Sequence, residues 1–379
     1  MDFALTEEMR MLRQTAREFA EGEIKPYVMK LDEAQEFPAE IFRKMADLGF
    51  LGATIPTSLE VAGLSALEFV VMMEEIARVD PSVALTIAAH SGLCLQHISL
   101  FANDEQKRKY VPDLATGRKI GSWCLTEPGS GSDAGGMQTN AVLNGDTYVV
   151  NGTKTFITNG SHASTFVVTA KTDTTKGKSG ISAFIVEKAF GGISVGKKEN
   201  KLGMRASDTV QLNFDNVPVP KANLLGKTGD GFKQALAVLD SGRIGIAALS
   251  VGLAQGALDA AVRYGKERKQ FGQPIAEFQG IQFSYADMAT EIAAARLLTY
   301  RAADAKVHGK DINLLAAQAK FFASEIATKA ASAAVQIHGG YGFTKDYPVE
   351  KFYRDVKLLT IGEGTSEVQK MVIAKNLLK

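Results

Sequence analysis

The chain has 379 residues, with 43 Lys plus Arg against 42 Asp plus Glu, so its formal net charge is only +1. Such a balanced chain gives no sign of the basic face that binding to nucleic acid or to an anionic membrane surface requires. A hydrophobic content of 45% and a charged content of 22% are typical of a globular protein, and the length predicts two or three domains with large cores.

The first third of the chain is predicted to be helical. Residues 7–21 place apolar side chains at helical spacing after Thr6, which is a good N-cap residue. Residues 38–51 and 66–79 repeat this pattern, and Pro38 suits the first helical position because its missing N–H costs nothing there. Residues 81–100 are mostly small and apolar, which is typical of a buried helix.

Strands are predicted from Gly121 onward. Residues 141–160 contain three Asn-Gly pairs, at Asn144, Asn151 and Asn159, between short β-branched and aromatic runs. Because Asn-Gly tolerates the positive φ angles of tight turns, these pairs predict hairpins. Three further runs continue the strands and two prolines close the region: 165–170, 181–186, 210–214, Pro218 and Pro220.

After Gly231 the helical period returns and continues to the end of the chain. One buried stripe is predicted on a long helix, formed by Ile281, Tyr285, Met288, Ile292 and Ala295. Residues 314–336 are rich in alanine and extend the helical region. The order of elements predicts an α+β protein, mostly α, with a helical domain over 1–120, an antiparallel β domain over 121–228 and a helical bundle over 229–379. Strands do not alternate with helices, so a parallel doubly wound sheet is not expected.

Cysteine content and the first residues bear on location. Cys94 and Cys124 can form at most one disulfide and lack the paired spacing of a zinc site, which favours a reducing compartment. The opening residues, MDFALTEEMR, contain acids and no long apolar run, so they do not look like a secretory signal. No stretch approaches the roughly 18 consecutive apolar residues of a membrane span. We therefore expect a cytoplasmic protein outside the membrane.

Two glycine-rich stretches match phosphate-binding motifs only in part. Residues 129–134, GSGSDA, fit a dinucleotide fingerprint, but Pro128 stands where a strand should precede and hairpin sequence stands where a helix should follow. Residues 191–198 carry Lys198 where a P-loop needs Ser or Thr. We expect neither a Rossmann turn nor a P-loop, although a loop that lets its backbone approach another ligand stays open.

The five histidines form no metal-binding or hydrolase motif, and no G-x-S-x-G is present, so no metal site is predicted. His90 and His97 could share a helix face, where packing is the more common role. Arg268, in the stretch RKQFG, either contacts a phosphate or caps a solvated helix end. Asp240 and Arg243 form either a local salt bridge or a ligand contact. Trp123, the only tryptophan, marks the helix-to-strand transition.

The C-terminal segment presents a carboxylate in an unusual setting. Glu363 lies between Gly362 and Gly364, just before a helix that the capping-box spacing of Ser366 and Gln369 predicts. The flanking glycines leave the carboxylate uncrowded and free to face a ligand. Alternatively, the acid is placed there because it favours the positive end of the helix dipole. On this segment alone the second interpretation is preferred.

Taken together, these segments resemble the acyl-CoA dehydrogenase family of flavoproteins over essentially the whole chain. The matching stretches are 125–133 (LTEPGSGSD), 151–160 (NGTKTFITNG), 268–272 (RKQFG), 336–342 (QIHGGYG) and 362–365 (GEGT). Residues 239–246, LDSGRIGI, look closest to the short-chain (butyryl-CoA) branch. The resemblance implies a middle domain that is β-barrel-like, a C-terminal four-helix bundle, and FAD bound in a homotetramer.

The resemblance also implies a reaction and its base. Glu363 would remove the α-proton of an acyl-CoA thioester while the flavin N5 takes a hydride from the β-carbon, in fatty acid β-oxidation. The thioester oxygen would be held by a flavin ribityl hydroxyl and the backbone N–H of Glu363. A dry, apolar pocket should raise the pKa of the base. Some branches carry the base at the position of Gly242, which cannot act, so Glu363 is the one candidate left.

Contacts to FAD and substrate follow from the same resemblance. FAD would contact Trp123, Leu125, Thr126, Gly131, Ser132, Phe156, Ile157, Thr158, Arg268, Phe271, Gln279, Gln336, Gly339, Gly340, Thr365 and Glu367. Of these, residues 336–340 would come from a neighbouring subunit. The acyl-CoA would contact Ser132, Asp240, Arg243 and Gly364.

Two departures from the family bear on the substrate. Gly362 stands where straight-chain members commonly have Tyr, which opens space for a branched or cyclic acyl group. Phe156 replaces a frequent Trp. Electrons are expected to pass to an electron-transferring flavoprotein. An acyl-CoA oxidase or an enoyl-CoA reductase on the same scaffold is the alternative.

Overall fold

The computed structural model describes residues 4–52, 55, 61 and 63–379, and its first part is helical as predicted. The helices are α1 Glu7–Phe19, α2 Val28–Ala34, α3 Ala39–Asp47, α4 Ala66–Val79, α5 Pro81–Ile87, α6 Gln96–Phe101 and α7 Asp104–Ala115. Thr6 caps α1, because its hydroxyl accepts the Met9 N–H. Pro38 is the N-cap of α3 rather than its first residue, one position from the prediction. A π-helical stretch, Ala88–Leu95, joins α5 to α6.

The middle of the chain forms one sheet. Its strands are β1 Gly121–Cys124, β2 Asn140–Asn144, β3 Thr147–Thr158, β4 Thr165–Lys171, β5 Ile181–Glu187, β6 Ile193–Lys198, β7 Thr209–Pro220 and β8 Leu224–Leu225. Hydrogen bonds link them in the order β6-β7-β3-β2-β4-β5-β8, with β1 beside β4. Most pairs are antiparallel, as expected, but β1 and β2 both run parallel to β4, so the sheet is mixed. The long connection after β1 allows this, since parallel neighbours need a crossover.

The three Asn-Gly pairs have different roles. Asn144-Gly145 makes the predicted hairpin between β2 and β3, and Asn159, with a φ of 64°, ends β3. Asn151-Gly152 instead lies inside β3, at an irregularity in its register with β7. The hairpin prediction is therefore wrong for this pair. Glycine is needed there because a Cβ would collide with Thr139, as is common at a bulge where another backbone approaches closely.

The two prolines that were expected to follow the strands lie within the end of β7 instead. Pro218 and Pro220 face Val149 and Thr147 of β3, whereas β6 pairs with β7 only at Phe214 and earlier residues. The other edge of β7 is therefore unpaired at the prolines, and the missing N–H groups cost no ladder hydrogen bond.

The last part of the chain is a helical bundle. Its helices are α8 Gly231–Glu267, α9 Gln279–Val307, α10 Asn313–His338, α11 Val349–Asp355 and α12 Ser366–Leu377, and a small hairpin, β9 Lys269–Gln270 and β10 Gln273–Pro274, separates α8 from α9. Helix α10 packs along both α8 and α9, and α12 packs along α10. In the predicted stripe of α9, Met288, Ile292 and Ala295 are buried, whereas the first two members are partly buried.

A continuous hydrophobic core joins the first and last helical regions, with α4 packed against α8. Buried charges also tie the parts of the chain together. The Lys351 ammonium donates to Asp80 at 2.8 Å and to Asp355 at 2.6 Å, and Asp355 accepts the Met204 N–H. All three side chains are buried. Helices from both ends and the β region therefore form one framework around the space described next.

Two helical stretches, Pro81–Phe101 and Gly231–Glu267, are long and apolar enough to cross a membrane by length and composition. The expectation that no such stretch exists was wrong. However, 83% and 72% of their apolar windows are buried inside the fold, and core helices commonly meet the same criterion. Their composition is accounted for by packing.

Candidate active site

Glu363 lies in the turn before α12 with a strained backbone. Its φ is 52°, in the left-handed region that costs a residue with a Cβ roughly 1–2 kcal/mol. Gly364 follows with a φ of 95°. The helix that was predicted to start here does so, although its N-cap is Thr365 rather than Ser366. The turn directs the Glu363 side chain toward α8.

One oxygen of the Glu363 carboxylate is enclosed by the protein, although the residue as a whole is half-buried. Its Oε2 is inaccessible to solvent and has no hydrogen-bond partner in the described part of the protein. Gly242 of α8 lies directly against it, because a Cβ at that position would collide with Oε2 and would come within 2.9 Å of Leu93 Cδ2. Loss of hydration raises the pKa of Glu363 to about 7, and the charges of Lys320 and Arg243 oppose that rise. The group can therefore gain or lose a proton near neutrality.

Three hydrogen bonds hold the backbone beside Glu363. The Lys320 ammonium donates to the Gly364 carbonyl at 2.7 Å. The Gln369 side chain donates to the same carbonyl at 2.9 Å and to the Glu363 carbonyl at 3.3 Å. Among the described residues, none accepts the Glu363 N–H. That N–H remains available to a ligand.

Arg243, which directly follows Gly242, is buried and pairs with the partly buried Asp240. The Arg243 guanidinium donates to Asp240 at 2.5 Å, and Asn313 donates to both Asp240 oxygens at 3.0 and 3.1 Å. Burial raises the pKa of Asp240, against the charge of Arg243. Arg243 Nε is buried and lacks a partner in the described residues. Asp240 and Arg243, which were predicted to contact the substrate, thus form a salt bridge with each other. The Nε–H of Arg243 is left without an acceptor among the described residues.

A cavity opens beside Gly242, between α4, the helical stretch 81–101, α8 and α9. Its lining includes Phe69, Gly92, Gly245 and Lys306. Gly362 has room beside it, since the nearest atom to an added Cβ would be the Leu358 carbonyl oxygen at 3.5 Å. The space next to the carboxylate is therefore mostly apolar.

The predicted flavin-contacting loop after β1 is held rigidly by β3. The buried Lys154 ammonium donates to the Leu125 carbonyl and to Glu127, both at 2.9 Å. Glu127 in turn accepts two backbone N–H groups from the far end of the loop. The Thr126 carbonyl accepts the Thr155 N–H. Gly131 and Ser132 are exposed at the tip of the loop.

An aromatic side chain is exposed next to this loop. Phe156 is 63% exposed and has a φ of 56°, at a second irregularity between β3 and β7, whereas Ile157 beside it is buried and Thr158 is half-buried. A strained, exposed aromatic residue is typical of a binding surface. Trp123 is half-buried and donates to His97 Nδ1.

His90 and His97 are buried and act as packing residues with fixed hydrogen bonds. His90 accepts the Gly121 N–H and donates to the Leu114 carbonyl, and His97 donates to Gln234. Burial lowers the pKa of both to about 4. No group of three or more His, Cys, Asp or Glu in the described residues could hold a metal ion.

A second set of predicted contacts lies far from Glu363. Arg268, Gly339 and Gly340 line one cavity at the end of α8, with Arg268 5.5 Å from the centre of the Tyr341 ring. Phe271 nearby is 94% exposed. Gln279 and Gln336 are also exposed in this region. Thr365 and Glu367 instead lie close to Glu363 in the chain, where Thr365 caps α12 and Glu367 is exposed in its first turn. Arg268 is 26 residues from Gly242 along α8, which is about 39 Å at 1.5 Å per residue.

Arg268, Gly339 and Gly340 are brought together within one chain. The reason is that α10 packs along α8, so that its end meets the end of α8. Within one chain, the Arg268 group and the Glu363 group are separate. The expectation that residues 336–340 reach the FAD from a neighbouring subunit stays a prediction.

Sequence reasoning missed Lys320, Gln369 and Lys154. For Lys320 a signal existed, because it lies on the same helix face as Ala316, Ala319 and Ala323, all of which are buried. A lysine on an otherwise small and apolar face needs a buried partner. Lys154 had no comparable local signal.

Comparisons with known proteins point to one family over nearly the whole chain. Three family models match the chain, described as acyl-CoA dehydrogenase N-terminal domain (residues 6–118), middle domain (122–217) and C-terminal domain (229–378). The chain is 48% identical over 379 residues to a short-chain specific acyl-CoA dehydrogenase of Clostridium acetobutylicum, with 100% of both covered. It is 48% identical over 375 residues to the caffeyl-CoA reductase-Etf complex subunit CarC of Acetobacterium woodii, with 99% of both covered. The structure of butyryl-CoA dehydrogenase from Megasphaera elsdenii matches with a TM-score of 0.98 at 43% identity, with 100% of both chains covered.

Proposed function

The chain belongs to the acyl-CoA dehydrogenase family, and we propose that it oxidises the α,β-bond of a short-chain, branched or cyclic acyl-CoA with FAD as cofactor. The observation that supports this most directly is the Glu363 carboxylate, whose enclosed Oε2 has no partner and whose pKa is raised to about 7. A general base works best when its pKa is near the operating pH.

In the proposed reaction, Glu363 receives the α-proton of the thioester at Oε2. Its free N–H donates to the thioester oxygen, which becomes more negative as the proton leaves. Arg243, with its unused Nε donor, and Asp240 bind the CoA part of the substrate, together with Ser132 on the exposed loop. A bound FAD would supply the acceptor for the hydride that leaves the β-carbon.

The residues present fit FAD. The flavin part would lie against residues 125–132 and the exposed Phe156, where an added Cβ at Gly131 would meet nothing within 4 Å, so that a ligand can approach the backbone. Thr365 and Glu367, at the start of α12, would also contact the flavin side. Arg268 offers a guanidinium for the pyrophosphate beside two open glycines, Gly339 and Gly340.

The separation of the two FAD contact groups supports an oligomer. About 39 Å along α8 is farther than one dinucleotide reaches, so each FAD would contact the Glu363 side of one chain and the Arg268 side of another. The 94% exposed Phe271 fits a surface that a second subunit covers. We propose a homotetramer, whose mass in solution can be measured directly.

The acyl group is proposed from Gly362. Gly362 has no side chain and there is free space beside it. An acyl group that is branched at the α-carbon, or that contains a ring, can therefore be accommodated there. Initial rates with butyryl-, isobutyryl-, 2-methylbutyryl- and cyclohexanoyl-CoA test this. A clear preference for butyryl-CoA would contradict the proposal for the acyl group while leaving the reaction type intact.

The base is tested by Glu363→Gln, which keeps the size of the side chain and removes its proton acceptor. We expect the purified variant to remain yellow, while acyl-CoA no longer bleaches the flavin absorbance. Glu325→Gln is the matched control, since Glu325 lies nearby and accepts a hydrogen bond from Ser366 that an amide can also accept. Full bleaching in Glu363→Gln would assign the base elsewhere.

Reduction of an enoyl-CoA is the second candidate, because a relative that is 48% identical over the whole chain is named a caffeyl-CoA reductase subunit in a complex with Etf. The same name supports an electron-transferring flavoprotein as the partner. Anaerobic stopped-flow with acyl-CoA, followed by mixing with oxygen or electron-transferring flavoprotein, separates an oxidase from a dehydrogenase, because rapid reoxidation by oxygen identifies an oxidase. Net formation of acyl-CoA from enoyl-CoA, with reduced electron-transferring flavoprotein as the electron donor, supports the reductase.

A further inference from the structure

Lys320 is an unusual residue to find in the middle of α10. Its side chain is fully buried, among the small residues Ala316, Ala319 and Ala323. Burying an ammonium group is costly unless it is paired and hydrogen-bonded. Its hydrogen bond goes to the Gly364 carbonyl at 2.7 Å, in the residue directly after the proposed base.

Lys320 and Glu363 lie near charged groups from three helices. These groups are Glu325 from α10 (the helix that also carries Lys320), Arg243 from α8 and Glu367 from α12. Arg243 is already paired with Asp240, and Glu325 accepts from Ser366. Lys320 is therefore a cation near Glu363 that has no salt-bridge partner of its own among the described residues.

Gln369 holds the same turn from α12. It is fully buried, and its amide donates to both the Gly364 and Glu363 carbonyls. The two contacts come from different helices, and both act on the left-handed pair formed by Glu363 and Gly364. An added Cβ at Gly364 would approach the Gln369 amide nitrogen to 2.6 Å, so the fit around the turn is close.

Resting on the proposed role of Glu363 as the base, we propose that Lys320 and Gln369 are positioning residues that clamp its turn, and that the Lys320 charge favours the ionised carboxylate. Neither residue touches the reacting atoms. The two bonds fix the backbone that aims the carboxylate and its N–H, while the buried cation counteracts the loss of hydration.

The charge and the clamp can be separated by substitution at Lys320. Lys320→Met keeps the length and apolar stem but removes the charge and the hydrogen bond, whereas Lys320→Arg keeps the charge. Removing a nearby opposite charge raises the pKa of a carboxyl. Because the base must be deprotonated to act, the acid limb of the rate profile should move to higher pH in Lys320→Met, by about one unit.

The assay is the rate of flavin reduction by acyl-CoA from pH 5.5 to 9, measured on the purified flavin-containing enzyme. We expect Lys320→Met to reduce flavin 10- to 100-fold more slowly at pH 7 and to show the displaced acid limb. Lys320→Arg should restore the position of the limb. Gln369→Leu should slow the reaction while leaving the limb within a few tenths of a unit, because it removes a contact and no charge.

Flavin content and thermal unfolding are measured for each variant, and Gln369→Leu tests the clamp if Lys320→Met does not fold. The proposal would be overturned if Lys320→Met and Gln369→Leu both kept the rate and the acid limb of the unmodified enzyme. It would also be overturned if Lys320→Met and Lys320→Arg displaced the limb equally. The outcome is distinct from a failure of the proposed function, which Glu363→Gln tests by itself. If acyl-CoA fails to bleach the flavin of Glu363→Gln while Lys320→Met behaves like the unmodified enzyme, the result contradicts the role of Lys320 and leaves the proposed function intact.

Discussion

Gly242→Ala should separate catalysis from stability at this site. The added methyl group would collide with Glu363 Oε2, and it would also press on Leu93 Cδ2 at 2.9 Å. The carboxylate is the end of a rotatable side chain, so we expect it to move by on the order of 1 Å rather than α8. A displacement of that size at a reacting group costs about 100-fold in rate, which corresponds to about 2.7 kcal/mol in the barrier.

The free energy of unfolding of the same variant should change little. Alanine within a helix is favoured over glycine by roughly 0.5–1 kcal/mol, and this gain offsets the cost of moving the carboxylate. Gly245→Ala is the matched control. It lies one turn further along α8, lines the same cavity, and would place its Cβ at an ordinary 3.7 Å from Phe69. The control carries the same change in helix propensity without the collision.

The measurements are the rate of flavin reduction by acyl-CoA, the flavin content, and unfolding by heat. We expect Gly242→Ala to lose about 100-fold in rate with normal flavin content and an unfolding temperature at or above that of the unmodified protein. Gly245→Ala should retain its rate within about threefold. If Gly242→Ala reacts at the normal rate, or if both variants slow equally, then contact between Gly242 and the carboxylate does not control the reaction.

Three further outcomes follow from buried charges. Lys351→Met leaves two buried aspartates without their cation and should cost 3–5 kcal/mol in urea unfolding; an unchanged midpoint would show that the aspartates are satisfied otherwise. Flavin reduction should rise with pH to a half-maximal rate near pH 7, because Glu363, with a pKa of about 7, acts when deprotonated; a rate that is flat from pH 5 to 8 would contradict this. Lys154→Met leaves Glu127 buried and unpaired, so it should lower flavin content at purification, whereas the exposed Lys197→Met should not; equal flavin content in the two would place the loop's support elsewhere.

Local patterns in the sequence were sufficient for the elements and their order. Thr6, the stripe of α9 and the Asn144-Gly145 turn depend on contacts within a few residues. The structure confirms the cap and the turn, and it buries three of the five residues of the stripe. The same local reasoning wrongly predicted a hairpin turn at Asn151-Gly152, where the glycine instead lies at a bulge inside β3. Its reason is Thr139, a residue that comes close only once the sheet has formed.

The sequence also identified Glu363, but through its resemblance to a family, since the segment alone favoured a helix-dipole role. Only the tertiary structure shows the surroundings that support Glu363 as the proposed base. Gly242 comes from a helix that begins more than one hundred residues earlier, and Lys320 from another. Hydration and charge at a buried group depend on every element packed around it, and a linear pattern does not contain that information. The distance between Arg268 and Glu363 is likewise set by tertiary structure. Glu363 packs against Gly242 of α8, and most of the length of α8 lies between Gly242 and Arg268.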